Sequence, residues 1–118
     1  MKTSHDPRHQ HRIKLMQQLF ITTFPPQKPD RSISDIQKHL PAIDERIAAA
    51  APEWPIDKIA KIDLAILRLA VYELAHVRRE PPKVVIDEAV ELAKEFGNEN
   101  SSKFINGALG TILKTLNQ

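Results

Sequence analysis

Two arginines one helical turn apart open the chemical reading of this chain. Arg8 and Arg12 lie in DPRHQHRIKLMQQLF, where Asp6 and Pro7 signal a helix start. The positive end of a helix dipole disfavours cations, and acidic residues are usual in the first turn. Arginines there make sense if an anion binds, because free backbone amides and both guanidiniums would converge on phosphate. Lys14 falls on the other flank, outside the pair. A basic helix start without a ligand is the plainer reading, and spacing alone leaves both standing. His5, His9 and His11 are close by, yet His9 and His11 are two residues apart and cannot share a helix face, so no metal site is expected.

Asp87, Glu91 and Glu95 recur at four-residue steps with Glu88 beside them. No histidine accompanies them at metal-ligand spacing, so the stripe reads as a solvated helix face or an acidic docking surface. None of the three glycines, Gly97, Gly107 and Gly110, sits in a phosphate-cradling loop. The absence of cysteine excludes disulfides and thiolate metal sites. No catalytic residue, metal or cofactor is therefore expected. No apolar run approaches a membrane span of about 20 residues, and a cytoplasmic protein is the expectation. Residues 1–28 hold five basic side chains against Asp6 alone, in a chain of net charge +2. A basic arm on a faintly acidic body suggests two partners, one of them polyanionic.

These groups need helices to position them. Ile13, Met16, Leu19, Phe20 and Phe24 recur at three- and four-residue steps, predicting one helix over 7–24 that Pro25 and Pro26 end. Ile33, Ile36, Leu40, Ile43 and Ile47 give a second seam, with a kink or break expected at Pro41. Residues 55–77 are the most apolar stretch and belong in the middle of a bundle, with Asp63 placed to cap a helix at Leu64. Another helix runs to Gly97, read as a left-handed cap, and a last one starts at Asn100 or Ser101. Asn106-Gly107 is turn chemistry inside that last helix, and reads as a narrow flank of Gly107, Ala108 and Gly110 against which another backbone packs closely. Phe104 beside Lys103 is either core or an apolar anchor at a docking edge. The sum is an all-α compact bundle of about five to six helices, one domain over 1–118 with a reduced amino-terminal half (7–51) and a carboxy-terminal half (54–117).

The strings ILRLAVYEL (66–74), PPKVVIDEAVELAKEFG (81–97) and ENSSKFINGAL (99–109) closely resemble the carboxy-terminal half of the NusB family of transcription antitermination factors. The likeness runs from about Ile43 to Leu113 and includes Trp54; the first helix resembles the family's arginine-rich opening helix more loosely. The resemblance implies an all-helical, non-enzymatic protein that pairs with NusE, a small-subunit ribosomal protein. It implies that the pair binds boxA RNA and acts on the transcription elongation complex, with a homodimer allowed. Carried over by position, the RNA-contacting residues would be Arg8, His9, Gln10 and Arg12, with His11 beside them and Phe20 at the family's usual aromatic; the partner-docking residues would be Asn100, Ser101, Lys103 and Phe104.

Two departures stand out. His9 and Gln10 occupy places where the family usually has arginine, and residues 25–32 are too few for the second helix expected there. His5, His9 and His11 would compensate only when protonated, below a pH of about 6.5. The alternatives are a protein-interaction module of the same fold without RNA binding and an accessory subunit of an RNA methyltransferase.

Overall fold

The computed structural model describes residues 6–25 and 27–117; His5 lies outside them. Helix α1 spans Pro7–Ile21. The Asp6 carboxylate accepts the Arg8 amide at 2.9 Å, with Pro7 at the first helical position, so the expected cap is formed. The helix ends at Ile21 rather than Phe24, and Thr22 closes it. A 3-10 turn (Arg31–Ile33) leads into the short α2 (Ser34–Lys38), followed by α3 (Leu40–Ala50). The break expected near Pro41 falls at His39, and Pro41 occupies the first turn of α3, where its missing amide leaves no bond unmade.

A second 3-10 turn (Ile56–Lys58) precedes α4 (Lys61–Tyr72), which widens into a π turn at Glu73–Val77. Then come α5 (Pro82–Phe96) and α6 (Ser101–Leu116). The protein is all-α, with six α-helices and no strand among the described residues. Helix α4 is the axis of the bundle and packs against α1, α3, α5 and α6. Leu64–Leu67 and Leu69–Val71 are buried without interruption except at Arg68, as the broad apolar pattern requires. Met16, Leu19, Ile43, Ile47, Leu92 and Ile112 close the core around it, joining both halves in one apolar cluster.

Three local expectations are corrected. Asp63 does not cap α4: the helix begins two residues earlier, leaving Asp63 inside its first turn. Gly97 is extended (φ −91°, ψ −169°), not left-handed. Glycine is required there for space, since a Cβ would lie 2.5 Å from Ser101 Cβ and 2.8 Å from the Ala93 carbonyl oxygen. Gly97→Ala is expected to destabilise by about 1–3 kcal/mol, the usual range for overpacking, read as a shift in the urea midpoint. The left-handed residue is instead Arg78 (φ 54°), whose amide bonds to the Glu73 carbonyl at 2.8 Å and ends the π turn. Finally, no neighbour lies within 4 Å of a Cβ built at Gly107 or Gly110, so no backbone packs closely on these two glycines, although Ala108 between them is buried in the core.

Candidate functional site

The amino end of α1 does not hold its two arginines alike. Arg8 is 71% exposed, with Asp6 and Glu80 as loose ion-pair partners at 3.8 Å. Arg12 is 5% exposed and turned into the protein. Its Nε and Nη2 donate to the two carboxylate oxygens of Glu73 at 2.9 and 2.7 Å, Nη2 also to Glu80 at 2.8 Å, and Nη1 to Glu88 at 3.0 Å. The Glu73 hydrogen bonds hold the guanidinium's pKa above its already high value, against the cost of burial. His9 is buried next to it: Nε2 donates to Glu95 at 2.5 Å, and Nδ1 lies 3.4 Å from Glu88.

The expected two-arginine phosphate seat is therefore not assembled. Arg12 and His9 are correctly placed on one helix, but their polar atoms tie α1 to the π turn, the following loop and α5. Their physical reason for being internal is Glu88, a buried carboxylate on α5 whose charge requires a cation beside it. The acidic stripe divides in the same way: Glu95 holds His9, whereas Asp87 and Glu91 face solvent beside Lys83 and Lys94. Of the RNA-contacting candidates, Arg8 and His11 are exposed, as are Gln10 and Lys14. Phe20 is half-buried, packing edge-on against Phe24 with ring centroids 4.9 Å apart.

Three of the four partner-docking candidates lie on a cavity of about 510 Å³ at the start of α6. Asn100, Lys103 and Phe104 line it. Phe104 is half-buried and also packs against the core. Ser101 does not join them: it is buried, and its Oγ accepts the Asn98 amide at 3.0 Å, fixing the turn between α5 and α6. Two residues that the sequence did not mark for docking also line the cavity, together with Lys58, Ile59, Ala60 and Asn98. Trp54, 52% exposed, stands at its edge, and Asp63, 7% exposed, is set into it with Oδ1 unpartnered. Burial raises the Asp63 pKa, partly offset by the Ser101 hydroxyl. An acidic residue in the first turn of an otherwise apolar helix was the available signal for it. Among the described residues no cluster of three or more His, Asp or Glu is arranged for a metal, and no helix is long and apolar enough to cross a membrane.

The NusB family model matches residues 30–114, which excludes α1. The transcription antitermination protein NusB of Pseudothermotoga lettingae is 45% identical over 85 residues, covering 72% of this chain and 61% of that protein. The chain thus spans about three fifths of this curated relative. A solved structure of T. maritima NusB superposes with a TM-score of 0.83 at 33% identity, covering 97% of this chain and 93% of that one, so the likeness in structure extends to α1. A complex of antitermination factors NusB and NusE with double-stranded RNA matches at a TM-score of 0.71 and 21% identity, covering 93% of this chain and 99% of that one; it shares the fold.

Proposed function

We propose, on the premise that this chain belongs to the NusB family, that it is a transcription antitermination factor which docks a NusE-type ribosomal protein and with it binds boxA-type RNA in the elongating transcription complex. On this reading the two helical halves act as one cytoplasmic, non-catalytic domain. The observation that carries it is the cavity at the start of α6. There a desolvated carboxylate oxygen lacking a donor sits beside two aromatic rings, Trp54 and Phe104. Such a site suits an apolar anchor accompanied by an N–H donor or cation from another protein. NusB and NusE occur together with RNA in the complex that shares this fold.

The RNA side of the reading rests on Arg8 and His11, with Phe20 farther along the helix, while Arg12 and His9 act as positioning residues beneath them. In a salt titration, Arg8→Ala is expected to weaken boxA binding by the NusE-bound complex about three- to tenfold and to flatten the slope of log affinity against log salt by about one. The internal pairing of Arg12 and His9 favours a second reading, a docking module that binds its protein partner only. Under that reading the complex shows no RNA contact contributed by this chain, and Arg8→Ala changes nothing at any salt concentration.

A further inference from the structure

A second cavity, about 520 Å³, lies between the amino end of α1, the 3-10 turn before α2 and the end of α4. Small-molecule sites run roughly from 300 to 1,000 Å³, so it has room for a nucleotide. Its floor is apolar, formed by Leu15, Ile36 and Leu69, and the Tyr72 ring makes one wall. That ring is held in place because its hydroxyl donates to Asp35. Burial and the Asp35 carboxylate push the Tyr72 pKa up to about 12, so the phenol remains a donor at neutral pH. Arg8, His11 and Arg79 stand around the cavity. Glu73 and Glu80 also line it, but Arg12 already engages both carboxylates.

We propose that this cleft receives one unpaired base of a single-stranded RNA, its face against the apolar floor and the Tyr72 ring, with the adjoining phosphates on Arg8 and Arg79. The inference rests on the RNA-binding reading above and adds to it a place where a base is held. An unpaired base has apolar faces that leave the solvent readily and stack on side-chain rings, while its backbone carries the charge that arginines bind. An apolar side chain from a protein would suit the floor but would leave the surrounding cations unanswered, so charge complementarity favours the nucleotide.

Fluorescence anisotropy with a labelled, short single-stranded boxA RNA tests this, using the chain bound to its NusE-type partner. Removing the base at each position in turn is expected to weaken binding about tenfold at one position. Ser32→Trp, at an exposed site on the lining of the cleft, places an indole where the base would lie. It is expected to weaken the intact RNA by a similar factor and to erase the difference between positions, with the circular dichroism spectrum and partner binding unchanged. Arg79→Ala is a milder companion variant, with a loss of about threefold expected from one phosphate contact. If the native complex binds RNA but neither variant alters the affinity, the cleft assignment is overturned while the RNA-binding reading stands. If the native complex binds no RNA even at low salt, that reading fails and the cleft proposal falls with it.

Discussion

Arg12→Leu is expected to destabilise the protein by about 3–5 kcal/mol, the range for breaking a buried ion pair from one side. For a chain of this size that lowers the melting temperature by roughly 10–20 °C, measurable by circular dichroism. The size of the effect follows from what the guanidinium neutralises. Its N–H groups reach Glu73 on the π turn, Glu80 in the next loop and Glu88 on α5, so one side chain fastens three segments to α1. Removing it takes the guanidinium charge away from Glu88 in the interior, where His9 Nδ1 lies 3.4 Å from the carboxylate. Arg12→Lys keeps the charge but loses the fork that engages both oxygens of Glu73, and is expected to fall between the two. Adding Glu88→Gln to Arg12→Leu should restore part of the loss, since the buried negative charge is then gone. A surface arginine would behave otherwise, with a stability change within about 0.5 kcal/mol.

Phe104→Asp is expected to weaken NusE-type partner binding at least a hundredfold, the scale of a central aromatic anchor worth about 3 kcal/mol or more. Calorimetric titration with the purified partner measures it. Asp63→Asn gives the more telling result, because it separates docking from folding. The Asp63 carboxyl has its pKa raised by burial. A carboxyl so shifted stabilises the fold while protonated, below its unfolded value of about 3.9, and that contribution is lost as the pH rises through the higher folded value. At neutral pH the ionised group is therefore a burden on the free protein. An asparagine side chain is isosteric and uncharged, so Asp63→Asn is expected to leave the free protein as stable or more so at pH 7, with the difference vanishing in acid. Partner affinity should drop about ten- to a hundredfold, as when a buried, charge-assisted contact is removed. A variant that loses both stability and affinity would mean that Asp63 serves the fold alone.

Short-range features were legible in the sequence. Asp6-Pro7 marked the start of α1, the isoleucine seam with Pro41 marked the broken pair α2 and α3, and the width of the apolar pattern put α4 at the centre. The strings in α4, α5 and α6 carried the family resemblance, and the family match covers them. The fate of Arg12 was not legible, because its partners lie 61 to 76 residues away and helical periodicity reports only neighbours on one helix. Ser101 was placed on the docking edge by position, but its hydroxyl is taken by Asn98 across the turn. Gly97 shows another limit: a glycine ending a helix suggests a left-handed cap, whereas here the approach of Ser101 excludes a side chain. Asp63 looked like a cap because acids often are; the helix instead begins two residues earlier at Lys61, which carries no start signal of its own.

The internal pairing of Arg12 has a kinetic consequence. Long-range attraction to a polyanion depends on charge left uncompensated, and a cation ringed by three carboxylates contributes almost none of it. The amino-terminal surface thus pulls less strongly than its count of basic residues suggests. First encounters of the isolated chain with a polynucleotide should proceed at an ordinary rate of about 10⁵–10⁶ M⁻¹s⁻¹, not the roughly 10⁸–10⁹ M⁻¹s⁻¹ of steered association. Added salt should then act mainly on how long the encounter lasts, through Arg8.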